Sequence, residues 1–377
     1  MKIVCDDKIP FLKGVFEPYA EVVYLPGVNT TKEIVKDADA IITRTRTICN
    51  RELLDGSKVK VIASATIGYD HIDTAWCERN GIRWSNAPGC NSSSVAQYIA
   101  SALVFLKKKY RLQLEGLTLG IVGVGHVGKK VKTLSEALKM KILLCDPPRE
   151  RAEGYESFCS INEIIDKADI ITLHTPLIRE GQDATYHLFG PEQISRLKPE
   201  QILINASRGE VVDSVALNET LKKKEIRGAI LDVWEGEPEI NRELLDAVDI
   251  GTPHIAGYSL DGKANGTTAS VRLVSQILNL PLKEWSPKEI PQPSQGDTLE
   301  IDCNGKSCED VLCEAIQFSY DITNDGLKLK AEPTLFEYLR GNYPTRREAQ
   351  AFRLILKNSN TNIEVALRSI GFNIKIA

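Results

Sequence analysis

No run of apolar residues in this 377-residue chain approaches the length of a membrane span, which excludes an α-helical membrane protein. A charge excess is missing too: 47 Lys and Arg stand against 51 Asp and Glu, a net charge of -4, so there is no basic footprint for nucleic acid. The opening MKIVCDDKIP reads as a strand and turn, where a secretory leader would need a basic region and then a long apolar one. A cytoplasmic location is the expectation. CxxC pairs are absent. Nine scattered cysteines are an odd number that a disulfide framework would not leave, and reduced thiols are expected. The densest group, Cys303, Cys308 and Cys313, has a spacing unlike that of a zinc site, and no metal is expected. Histidine is scarce, with five in the whole chain.

What is present is an alternation. In the first hundred residues short β-branched runs (KIVCDD, EVVYLPG, DAIITRT, VKVIASAT) take turns with helical stretches, the pattern of a parallel sheet covered by helices. At CNSSSVAQYIASALVFLKKKYR the period changes to 3.6, with Val95, Ile99, Leu103 and Leu106 on one face. Ser94 and Gln97 read as a capping box at its start, and Lys107 to Lys109 suit its C-terminal end. Further strand and helix pairs follow to about residue 257. A helix around ANGTTASVRLVSQILNL then leads into LPLKEWSPKEIPQPSQGD, a proline-bearing linker. The tail reads as one strand (TLEIDC), helical segments including RREAQAFRLIL, and a final strand (FNIKIA).

GIVGVGHVGKK places Gly123, Gly125 and Gly128 in GxGxxG spacing between a strand and a helix, and Asp146 closes the next strand. The three glycines serve in turn a tight bend, backbone approach to a pyrophosphate, and close packing of helix on strand. The helix N-terminus, with His126 and Val127 in its first turn, offers N–H groups to the anion. Asp146 would accept from both ribose hydroxyls and repel a 2′-phosphate, which favours NAD.

Arg208 (NASRGEVVD), Glu237 (LDVWEGEP) and His254 (TPHIAGYS) follow later strands, so all three are expected at the edge where such sheets bind ligands. A guanidinium fork matches a carboxylate, and a carboxylate beside an imidazole stabilises its charged form. Those are the parts needed to oxidise a hydroxy acid: a base for the hydroxyl proton and a cation for the carboxylate. In the first domain Arg44, Thr45 and Arg46 follow an apolar strand, and the backbone N–H groups of Ile67 and Gly68 are further anion donors. Such a surplus of donors points to a substrate with a second anion, a phosphorylated 2-hydroxy acid.

These motifs, with HTPL, CDPP and SATIGYDHID, resemble the D-2-hydroxyacid dehydrogenase family over residues 1 to about 280, in order and spacing. The resemblance implies an α/β fold: a Rossmann nucleotide domain (93–257) beside a flavodoxin-like substrate or lid domain (1–92 plus about 258–285). Residues 286–377 would form a C-terminal α+β dimerisation domain, making the protein a homodimer. It implies Arg208 on the carboxylate, His254 as acid and base, and Glu237 as its partner. Asp232 would touch the nicotinamide, Thr175 the ribose and phosphates, Ala206 and Ser207 the cofactor through main chain with Arg208, and Gly257 the cofactor as well. Thr45, Thr66 and Tyr258 would bind substrate. Two rivals stay open: a 3-phosphoglycerate-oxidising relative, whose regulatory tail is typically a βαββαβ module, and a nucleotide-sensing corepressor-like protein that shares the fold.

Overall fold

The computed structural model describes residues 1–154 and 157–377. The chain divides into two compact units, Met1–Asn91 with Tyr258–Pro291, and Ser92–Gly257 with Gln292–Ala377.

In the first unit five strands, β1 (Lys2–Asp6), β2 (Glu21–Leu25), β3 (Ala40–Thr43), β4 (Val61–Ser64) and β5 (Arg83–Ser85), pair in parallel in the order β2-β1-β3-β4-β5. This is the flavodoxin-like order. Strands β3 and β4 are buried along their whole length, which is why AIIT and VIAS are apolar without alternation. The helix Leu260–Ile277 completes the unit. Its Ser259 cap accepts the Gly262 N–H at 2.9 Å, and Val271 and Val274 join Ile3, Cys5, Phe16 and Ala63 in one core. Gly266 touches the chain after β4: a Cβ there would lie 2.2 Å from the Ala65 carbonyl oxygen.

The second unit holds six parallel strands, β6 (Thr118–Val122), β7 (Lys141–Cys145), β8 (Ile170–Leu173), β9 (Ile202–Asn205), β10 (Gly228–Leu231) and β11 (Ile250–Gly251), in the order β11-β10-β9-β8-β6-β7. From β6 the chain moves one way to β7 and the other way to β8, so the switch point of the sheet lies between β6 and β8.

The C-terminal segment forms its own parallel sheet, β12 (Thr298–Asp302), β13 (Arg353–Lys357) and β14 (Asn373–Ile376), with β13 in the middle. Two expectations change here. Residues 353–357 are a strand, because Leu354 and Leu356 bury on one side while Arg353 and Lys357 stay exposed; so short an apolar run carries no decisive periodicity. The long helix starts at Ser92, so Ser94 and Gln97 lie inside it and are no capping box. Both bond elsewhere: Ser94 Oγ donates to the Ala256 carbonyl at 2.8 Å, and Gln97 Nε2 donates to the Arg347 carbonyl at 3.0 Å.

Candidate active site

The nucleotide motif folds as its chemistry requires. Gly123 takes φ 88°, and a Cβ there would come within 2.7 Å of the His174 carbonyl. At Gly128 a Cβ would meet the Gly123 oxygen at 2.1 Å, so helix and strand pack as closely as only glycine permits. Around Gly125, the cap of the helix His126–Ala137, the space is open, and Gly125 and His126 are exposed. This leaves helix N–H groups to an incoming anion. Thr175 Oγ1 is buried and has no hydrogen-bond partner among the described residues. An open helix N-terminus beside an orphaned hydroxyl at the switch point fits a dinucleotide.

Asp146 caps the helix Pro147–Glu153, accepting from Arg149 N at 3.2 Å, and reaches back to accept the Val124 N–H at 2.8 Å. Its carboxylate thus also braces the glycine loop, a role beyond the ribose contact expected of it.

Arg208 leaves the end of β9 in a loop shaped by Asn205. Asn205 Nδ2 donates to the Arg208 carbonyl at 2.9 Å, and its Oδ1 accepts the Ser207 N–H at 3.1 Å and the Ser207 hydroxyl at 2.8 Å. Arg208 Nη1 donates to the Ser207 carbonyl at 2.8 Å. Asn205 was missed in the sequence; an Asn at a strand end just before a turn is the local signal that could have marked it.

Two strands on, Glu237 and His254 meet. His254 Nδ1 lies 2.8 Å from Glu237 Oε2, and Glu237 Oε1 accepts the Trp234 N–H at 2.9 Å. Burial alone would raise the Glu237 carboxyl. The hydrogen bond and charge of His254, the Trp234 N–H and the Arg340 cation outweigh burial and hold it below its usual value. An ionised Glu237 can only accept, so Nδ1 carries the hydrogen and Nε2 is the ring atom left to exchange a proton.

Asp232 is a second support. Its Oδ1 accepts the Thr252 hydroxyl and the Ile255 N–H, both at 2.7 Å, and its Oδ2 accepts the Ala256 N–H at 2.9 Å, while its carbonyl accepts the His254 N–H at 2.7 Å. Burial raises this carboxyl, opposed by the charge of His254 and by those three donors. Asp232 therefore pins the backbone that carries the histidine. Thr252, missed in the sequence, links it to Tyr98 of the long helix at 2.8 Å.

Within the first unit, Arg44 to Arg46 follow β3, and Thr66 to Gly68 follow β4. The two strands are neighbours, with Thr43 opposite Ser64, so both loops leave the same edge. Arg44 Nε donates to the buried Asp6 at 3.2 Å, and its carbonyl accepts the Ser64 hydroxyl at 3.2 Å. Ser64 and Thr66 share a hydroxyl contact at 2.9 Å, and the Ile67 carbonyl accepts Asn86 Nδ2 at 2.6 Å. Thr45 and Arg46 are exposed. The Tyr258 ring carries the Lys263 ammonium 4.8 Å from its centre.

Comparison with known proteins bears on this arrangement. Residues 96–256 match the family described as D-isomer specific 2-hydroxyacid dehydrogenase, NAD binding domain, and residues 294–371 match a domain of unknown function (DUF3410). An erythronate-4-phosphate dehydrogenase of Bacteroides thetaiotaomicron is 49% identical over 356 residues, covering 94% of this chain and 99% of that protein. Its counterpart in Escherichia coli O157:H7 is 40% identical over 376 residues, covering 99% of this chain and 98% of that protein. Among solved structures, D-lactate dehydrogenase from Aquifex aeolicus, complexed with NAD and lactic acid, is 26% identical, with a TM-score of 0.62 over 74% of this chain and 96% of that one. The expected nucleotide and flavodoxin-like sheets are both found, and NAD is the cofactor. The chain is an NAD-dependent dehydrogenase and belongs to the erythronate-4-phosphate dehydrogenases, within the D-isomer specific 2-hydroxyacid dehydrogenase family.

Proposed function

We propose that this protein oxidises 4-phospho-D-erythronate to 3-hydroxy-2-oxo-4-phosphooxybutanoate, a step toward pyridoxal 5'-phosphate. The observation that carries the reading is the His254 and Glu237 pair at a strand end, in a chain whose relatives of matching length bear that enzyme's name.

Arg208 holds the substrate carboxylate with its fork of N–H donors and polarises the forming carbonyl. His254 Nε2 takes the proton of the C2 hydroxyl, and Glu237 stabilises the imidazolium that results. Bound NAD supplies the acceptor for the hydride that leaves C2. Gly123, Gly125, His126, Val127 and Gly128 hold the pyrophosphate, and Asp146 holds the ribose. Thr175, Ala206, Ser207, Asp232 and Gly257 complete the cofactor contacts. Arg44, Thr45, Arg46, Thr66, Ile67, Gly68 and Tyr258 contact the phosphorylated substrate, with Arg44 on its phosphate.

The protein acts in the cytoplasm as a homodimer, with residues 286–377 as the dimerising part and residues 1–92 plus about 258–285 as the lid. Exposed apolar side chains on that tail, Leu327, Leu335 and Tyr338, support the dimer reading. Light scattering on the full chain tests it: twice the chain mass is expected, and a monomer contradicts it. The activity is tested with a panel of 2-hydroxy acids, with and without a terminal phosphate, followed by formation of reduced nicotinamide. Equal rates across the panel would sink the assignment.

A further inference from the structure

Glu237 Oε2, the oxygen that meets His254, has a second cationic neighbour. Arg340 Nη1 lies 3.8 Å away, and it comes from the helix Phe336–Gly341 in the C-terminal segment. The side chains of Arg340 and Glu237 are only 19% and 18% exposed, so water screens this pair incompletely. Arg340 also lies 4.0 Å from Glu337 Oε1, a weaker hold on the same guanidinium. Asp232, buried beneath the histidine's backbone, is a further charged neighbour of the ring, and Arg208 follows β9, two strands away from β11 in the sheet.

We propose that Arg340 is a positioning residue for proton transfer: the C-terminal segment lends a cation that anchors the Glu237 carboxylate and draws off part of the negative charge acting on His254. The proposal rests on the reading of His254 as the proton acceptor with Glu237 as its partner. It gives the tail a part in the chemistry besides any role in assembly. Without Arg340, Oε2 serves His254 alone, the imidazolium gains stability, and the ring keeps its proton to higher pH. Oxidation needs the neutral ring, so its acid limb rises.

The test is the pH profile of kcat/KM for erythronate 4-phosphate oxidation with NAD in the parent, Arg340→Gln, Arg340→Lys and Glu237→Gln. In Arg340→Gln the acid limb should move up by about half a unit to one unit, the size expected of one partly screened charge acting through Glu237. Arg340→Lys should keep the limb near the parent position. Glu237→Gln should move it the other way, because losing the carboxylate destabilises the imidazolium. A structural role alone would lower the rate at every pH and leave the limb in place. An unmoved limb in Arg340→Gln beside a shifted one in Glu237→Gln overturns the role of Arg340 and leaves the pair standing. An unmoved limb in Glu237→Gln overturns the pair itself, and this inference with it. Should the glutamine variant fail to fold, Arg340→Met keeps the aliphatic stem and carries the same expectation.

Discussion

His254 stands at φ 56°, a backbone region that costs a non-glycine residue about 1–3 kcal/mol and persists only where its surroundings impose it. The surroundings do impose it: the Asp232 carbonyl takes its N–H, and the Asp232 carboxylate takes the next two. The strain thus sets the ring against Glu237 in place of a position the helix or strand would give. Arg208 is held differently, by a loop folded around Asn205, and its side chain is where substrate charge is expected. Arg208→Ala should lower kcat/KM about 100- to 1000-fold while NAD still titrates normally, since the donor acts on the substrate and the transition state. Near-parental turnover would remove Arg208 from the chemistry. Arg44 has a structural duty as well, its ion pair with buried Asp6, so loss of activity alone would not identify a phosphate ligand. The discriminating comparison is Arg44→Ala and parent, each with phosphorylated and dephosphorylated acid. A phosphate contact predicts a loss about tenfold or more greater for the phosphorylated acid, in catalytic efficiency as well as affinity; equal losses on both acids would mean that Arg44 serves the fold.

At the scale of elements, the long helix Ser92–Tyr110 ties the tail to the histidine loop. Arg346 of the tail is buried, donates to Ser94 Oγ and to the Ala256 carbonyl at 2.5 Å, and lies over the Tyr320 and Tyr343 rings. Both ring hydroxyls donate to Asp325. Arg346→Met leaves these acceptors and that carboxylate without their cation and should cost about 2–4 kcal/mol. Calorimetry should show the thermal midpoint falling by about 3–5 °C, and an unchanged midpoint would mean the network contributes nothing. None of this was legible in the sequence. GxGxxG, Asp146, Arg208, Glu237 and His254 could be read because each sits at a fixed offset from a strand end, where pattern and chemistry coincide. Ser94 and Gln97 were misread as a cap because a hydroxyl followed three residues later by an amide looks the same whether its partners are local or in the tail. Arg340 and Arg346 carried no local signal at all, since their partners are set by how the tail packs. The strand Arg353–Lys357 was hidden by brevity, being five residues long.

For the whole molecule, two buried histidines outside the proposed chemistry contribute to the response to acid. Burial depresses His71 to about 4, with Asp70 pulling weakly the other way, and burial alone depresses His174 to about 3. One lies in each unit. Below about pH 6.5 the unfolded chain protonates both rings and the folded chain does not, so stability present above that pH is lost as pH falls toward the depressed values. The thermal midpoint should therefore decline steadily from about pH 7 to 5, and His174→Gln, which removes one such ring, should flatten the decline. A midpoint constant over that range would contradict the burial of these groups. The central claim, that the strand-end residues serve the oxidation of a phosphorylated hydroxy acid by NAD, has a more direct test. It is the formation of reduced nicotinamide, free or enzyme-bound, from 4-phospho-D-erythronate by the parent protein and by His254→Asn. The account predicts reduced cofactor with the parent, far less with dephosphorylated erythronate or 3-phosphoglycerate, and almost none with His254→Asn despite normal NAD binding; a histidine variant that reduces NAD at the parental rate would contradict it.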